Sequence, residues 1–195
     1  MNPLNTIKGT IIGGVVLAVV IALVSPMGAQ FNGPSLIVWL HVLAGITWIG
    51  LLYYFNFVQV PALAAAAADQ GGPGGAGISK YVAPRALLWF RWGAVATWLT
   101  GAAYLAHTGL FMQAFALQPG ARLIGIGAWL GTIMLFNVWV LIWPNQKKVL
   151  GLVEATAEDI AKARRVAFLA SRTNTLLSIP MLMSMVGFGH GGFFL

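Results

Sequence analysis

Apolar residues in this chain gather into long runs, and the charged residues, prolines and glycine clusters fall mostly between them. A helix crossing about 30 Å of hydrocarbon needs roughly 20 apolar residues. Runs of that order occupy residues 7–24, 35–60, 86–108, 122–143 and 166–188. Their boundaries carry breakers: Ser25-Pro26, Gly33-Pro34, Pro61, Pro84, Pro119-Gly120, Pro144 and Gly189-His190-Gly191-Gly192. Proline cannot donate to a helical ladder, and glycine weakens one. The pattern predicts an all-α integral membrane protein of five transmembrane helices, with helices two to five forming an antiparallel four-helix core over residues 34–195. Residues 1–33 would add an N-terminal transmembrane helix and an external loop. Lys8 before the first run and Ser25-Pro26-Met27-Gly28-Ala29 after it also fit a secretory signal and its cleavage site, but the segment is read as a retained helix.

The segments between runs are short. Residues 62–79, an alanine run followed by Gly71-Gly72-Pro73-Gly74-Gly75, predict a short helix and a flexible linker. Residues 145–165 interleave Lys147, Lys148, Glu154, Glu158, Asp159, Lys162, Arg164 and Arg165 with apolar positions. They predict an amphipathic helix whose bases meet anionic lipid.

Composition agrees with lipid as the solvent. The chain is 59% apolar and 8% charged, with a mean hydropathy of +0.84, whereas soluble domains carry about 25% charged residues. The net charge of +7 would suit nucleic acid, but the bases sit between apolar runs rather than on a polar face, and no nucleic-acid partner is expected. They instead set orientation. Lys8, Lys80, Arg85, Arg91, Lys147, Lys148, Lys162, Arg164, Arg165 and Arg172 fall on one side of the runs, and Arg122 alone on the other. The N-terminus is therefore expected in the cytoplasm and the C-terminus in the periplasm of a bacterial inner membrane. Cysteine is absent, which excludes disulfides, thiolate metal sites, a cysteine nucleophile and covalent c-type haem. No Asp or Glu lies within a run, which argues against a carboxylate relay or a buried carboxylate base.

Polar side chains inside apolar runs are costly and therefore point to function. They sort into two layers. Near the outer face lie His41, His107, His190 and Arg122. Imidazoles from facing helices can ligate haem b, with an arginine near water for its propionates, so His41 and His190 are candidate iron ligands and Arg122 a candidate propionate partner. Gly45 leaves room on the face of His41. The alternative for each histidine is an interfacial imidazole bonded to a carbonyl or water, and His107, at the water boundary, is assigned to it. Toward the inner side lie Asn56, Arg91, Asn137, Arg172 and Asn174. Such groups satisfy one another across a bundle or line a pocket for a planar anion; Arg91, Asn137, Arg172 and Asn174 are the candidate substrate-binding set. No catalytic residue is identified.

Particular blocks carry a family likeness. They are Trp39-Leu40-His41-Val42 with Gly45-Ile46-Thr47-Trp48-Ile49-Gly50; Trp89-Phe90-Arg91-Trp92 with Thr97-Trp98-Leu99-Thr100-Gly101; Asn137-Val138-Trp139 with Trp143-Pro144-Asn145-Gln146-Lys147-Lys148-Val149; and Ser171-Arg172-Thr173-Asn174-Thr175-Leu176-Leu177-Ser178-Ile179-Pro180-Met181, with His190 beyond. In these the chain resembles the membrane-embedded domain of bacterial membrane-bound, cytochrome-c-linked urate oxidases (urate hydroxylases), over roughly residues 35–190. The resemblance implies a helical membrane bundle passing electrons from urate to cytochrome c without making hydrogen peroxide. His41 and His190 match motif histidines of that family and His107 does not. The family's usual fused cytochrome c domain is missing from these 195 residues, so the acceptor is expected to be a separate cytochrome c docking near His41 and His190. The first helix is a second departure. Three functions follow as expectations: an integral membrane oxidoreductase of the urate oxidase type, its electrons leaving through haem b; a haem-binding electron-transfer subunit; or an accessory structural subunit of a larger respiratory or photosynthetic complex.

Overall fold

The computed structural model describes residues 2–24 and 32–192, all helix and connecting turns with no strand among them. The signal-like segment at residues 25–29 lies outside the described residues. The chain divides into two compact units, Met1–Gly33 and Pro34–Leu195.

In the first unit, Asn2 caps a single turn at Pro3–Asn5 through its side-chain oxygen, which accepts from the Leu4 amide at 2.9 Å. Helix α1, Ile7–Val24, follows. It is apolar all round and none of its residues is buried within the chain, so it presents no preferred inner face.

The second unit is built from α2 (Gly33–Tyr53), α3 (Val60–Ala68), α4 (Ala83–His107), α5 (Phe111–Phe115), α6 (Arg122–Phe136), α7 (Trp143–Val149) and α8 (Ala157–Gly189). Three of the expected breakers do not break. Single π-helical stretches at Tyr54–Gln59, Ile78–Val82 and Asn137–Ile142 each end just before Pro61, Pro84 and Pro144. Proline offers no N–H and its ring collides with the carbonyl of the preceding turn, and a wider turn before it relieves both problems. The chain thereby runs as continuous helix over Gly33–Ala68 and Pro119–Val149. The amphipathic segment behaves in the opposite way. Instead of one helix over 145–165, α7 stops at Val149, Gly151 turns the chain at φ +69°, and Thr156 caps α8 by accepting from the Asp159 amide at 3.1 Å. Glu158 and Asp159 in the first turn of α8 suit its positive end.

Contacts between helices run with opposed numbering. Along α2 and α4, Gly101 meets His41, Gly93 meets Trp48, and Phe90 meets the Phe55 ring edge to face. Between α4 and α6 with its π extension, Trp98 donates to Thr132 and Trp92 packs on Trp139. Gly127 lies against Ser184 and Met185, Gly131 against Met181, and Asn137 bonds Asn174, joining α6 to α8. Tyr53 bonds Ser178, and Asn56 bonds Ser171, closing the ring between α2 and α8. A β-carbon at residue 127 would come within 3.1–3.3 Å of α8 side chains, so glycine there sets how closely the helices approach. Trp48, Leu52, Phe90, Met134 and Val138 fill the centre.

The perimeter is apolar as well. Ile46, Trp89, Leu176 and Ile179, on three different helices, are each more than 60% exposed. Helix α1 and the stretches Gly33–Ala68 and Pro119–Val149 are long and apolar enough to cross a membrane. Helices α4 and α8 have the length, at 25 and 33 residues, but carry more polar positions.

Candidate functional site

His41 projects from the first half of α2 onto α4. Its Nδ1 lies 2.8 Å from the Thr97 carbonyl oxygen and 3.1 Å from Thr100 Oγ1. A carbonyl only accepts, so Nδ1 carries the proton and donates. The ring rests against Gly101, where a β-carbon would fall 3.0 Å from Cε1 and 3.3 Å from Nδ1. Thr97 sits where it does because its own hydroxyl donates to the Gly93 carbonyl at 2.7 Å, and Thr100 donates to Ala96 at 2.7 Å.

His190 caps the C-terminal end of α8. There Gly191, at φ +81°, turns the chain, and the Gly192 amide returns to the Gly187 carbonyl at 2.7 Å. The His190 Nδ1 donates to the Val186 carbonyl at 2.9 Å. Both imidazoles thus spend Nδ1–H on a backbone carbonyl, and neither Nε2 has a partner among the described residues. This is the tautomer of a metal-ligating histidine, whose carbonyl partner fixes the ring and leaves the other nitrogen's lone pair available.

The two histidines line the same cavity, of about 740 Å³. Its walls are mostly apolar: Trp48, Ile49, Leu105, Phe115, Ile124, Met181, Met185 and Phe188, with Tyr53 and Tyr104 supplying phenols. The Tyr53 hydroxyl is engaged with Ser178 at 2.9 Å, as expected of a hydrogen-bonded core tyrosine. Trp48 is 1% exposed and its indole N–H finds no acceptor among the described residues. No group of three or more His, Asp or Glu side chains able to hold a metal ion occurs among the described residues.

The other two outer candidates stand apart from this cavity wall. His107 ends α4 in an exposed position. Arg122 begins α6, exposed, with its Nε donating to the Leu117 carbonyl at 3.4 Å. Leu117 is a non-glycine residue at positive φ, +53°, in the turn joining α5 to α6.

The inner layer is tied up within the bundle except for Arg172, which is exposed. Asn137 Nδ2 donates to Asn174 Oδ1 at 2.8 Å, and Asn174 Nδ2 donates to the Met134 carbonyl at 3.0 Å. Both amides are buried, Asn174 completely. Arg91 stacks on Trp143, its guanidinium carbon 3.7 Å from the ring centroid, and Arg172 lies 5.2 Å from the Phe168 ring. None of the four enters the wall of either large cavity. Asn56 does: it donates to the Leu52 carbonyl and to Ser171 Oγ, both at 2.8 Å, beside a second cavity of about 780 Å³ at the basic end of the unit. Gln59 and Gln146 also line that cavity. Sequence reasoning passed over both glutamines, although Gln59 is a buried amide among apolar neighbours, the signal that marked Asn56.

Comparison with curated proteins and with solved structures brings no match. A family model described as urate oxidase N-terminal matches residues 108–194. The matched span holds α5 to α8, with Arg122, the Asn137–Asn174 pair, Arg172 and His190, whereas His41 and Arg91 precede it. Over residues 108–194, the chain is similar to the urate oxidase N-terminal family.

Proposed function

We propose that the protein is an integral membrane electron carrier of the urate oxidase type, holding haem b between His41 and His190. The observation that supports this most is the matched state of the two imidazoles: on separate helices, each with Nδ1 committed to a carbonyl, both in the wall of one apolar cavity. Gly101 leaves the His41 ring the space it occupies, and Trp48 offers a buried N–H that lacks an acceptor. The volume falls within the roughly 300–1,000 Å³ of sites that enclose sizeable ligands. Bound haem would supply a one-electron couple. The chain's part is to fix both ligand rings and exclude water with the apolar walls; Arg122 stays the candidate propionate partner by sequence position, its Nη groups making no bond with the described residues.

Helix α1 and the cores of α2, α4, α6 and α8 would give five membrane spans, with apolar side chains toward lipid and ten of the eleven bases at the cytoplasmic side. The histidine end then faces the periplasm, where a separate cytochrome c can accept electrons. Urate as the electron source rests on the family match over residues 108–194. The engagement of Asn137 with Asn174 and of Arg91 with Trp143 favours the narrower reading, an electron-transfer subunit whose substrate is handled by a partner.

An absorption spectrum of the full chain, purified in detergent from haem-replete cells, tests the reading. A Soret band is expected, lost in His41→Ala and in His190→Ala and kept in His107→Ala. A colourless protein overturns it. Urate-dependent reduction of added cytochrome c by the purified chain would restore the full oxidase, and its absence with a haem spectrum present leaves the electron-transfer subunit.

A further inference from the structure

The second cavity belongs to neither the haem reading nor the outer histidines. It lies between the π stretch after α2, α3, the start of α4, α7 and α8. Its chemistry is divided. Phe55, Phe90 and Ile142 make one part apolar and buried. Arg164 and Arg165, exposed on the first half of α8, bring two positive charges to the same wall. Neither arginine is paired with a carboxylate: the salt bridge among the described residues is Lys162–Glu158, and Asp159 turns back on Thr156. Gln59 adds an independent sign. It is 8% exposed, its Oε1 is buried without a partner, and its Nε2 makes no hydrogen bond with the described residues. A buried amide with nothing to bond costs free energy, and a ligand bringing polar atoms would recover it.

We propose that this cavity binds a phosphate-bearing amphiphile, its anionic head against Arg164 and Arg165, its apolar chain along the wall formed by Phe55, Leu87 and Ile142, and the Gln59 amide bonded to polar atoms at the junction. Arginine forks suit phosphate oxygens, and basic pockets between helices at a cytoplasmic surface suit acidic lipid heads. An acidic phospholipid and a soluble alkyl phosphate share this chemistry. The lipid source rests on the membrane reading above; binding of the head and chain does not.

Native mass spectrometry of the full chain released from nanodiscs tests the proposal, with phosphatidylglycerol in a phosphatidylcholine background as one probe and dodecyl phosphate added to detergent-purified protein as the other. Retention of either probe by the wild type is expected, weakened roughly thirtyfold in Arg164→Gln/Arg165→Gln if each base contributes about 1 kcal/mol. Gln59→Leu, which keeps the volume and removes the amide, is expected to weaken retention with both arginines intact. Retention of phosphatidylglycerol identifies a lipid, and retention of dodecyl phosphate alone identifies a soluble amphiphile. Retention of neither, or retention unchanged by the double substitution, overturns the proposal. A chain that stays monodisperse in buffer without detergent would defeat the membrane reading while leaving the dodecyl phosphate result to decide this one.

Discussion

At the scale of single residues, the bundle depends on a few polar atoms whose partners are fixed. Asn174 accepts from Asn137 and donates to the Met134 carbonyl with no exposure to solvent. Asn174→Ala strands the Asn137 amide and is expected to cost about 1–3 kcal/mol in a reversible unfolding assay. The double substitution Asn137→Leu/Asn174→Leu should cost less than Asn174→Ala, because no buried side-chain amide is left without its partner. A double substitution more costly than the single one would show that the pair is needed for packing rather than for mutual satisfaction. Gly101→Val places a methyl branch against the His41 ring, where even a β-carbon would lie 3.0 Å from Cε1. It should lower stability by about 1–3 kcal/mol, from overpacking, and should broaden or abolish the Soret band. An unchanged spectrum would show that His41 does not ligate from this position. The sequence exposed His41 and Asn174 through their depth in apolar runs, but not that Asn174 would be consumed by Asn137 while His41 kept a nitrogen free. Depth is a property of one chain segment, whereas partnership depends on which helix faces it.

At the scale of elements, prolines act differently according to what precedes them. Pro61, Pro84 and Pro144 each follow a π-helical stretch and leave the helix continuous, while Pro180 lies inside α8. A breaker in the sequence was therefore a ladder adjustment in three places, because a wider turn can absorb the missing donor without ending the helix. The start of α8 is a more ordinary signal. Thr156 followed by Glu158 and Asp159 caps a helix that begins nine residues before the apolar run at 166–188. Thr156→Ala is expected to destabilise by about 1 kcal/mol through the lost cap. Hydrogen exchange should be faster at the Asp159 amide and little changed beyond the second turn; uniform protection along α8 in the variant would show that tertiary packing alone holds its start.

At the scale of the whole molecule, the proposed membrane reading, with its apolar perimeter and one-sided bases, predicts a single orientation. A cytoplasm-dependent fluorescent reporter fused after residue 76 should be bright, and the same reporter at the C-terminus dark. Two bright fusions would reverse the assignment of the histidine end to the periplasm, and with it the route to an external cytochrome c. The all-helical class was legible in the sequence by itself, because spacing between charges and breakers is set by the length of helix the solvent demands. So were the candidate histidines, since an imidazole in an apolar run is costly wherever the run packs. Only the tertiary structure decided which polar groups remained available. It closed Asn137 on Asn174 and Arg91 on Trp143, set His41 and His190 around one cavity, and left Gln59 unpartnered in another. Whether a polar atom is satisfied is a relation between helices distant in sequence, and it comes into being only when they pack.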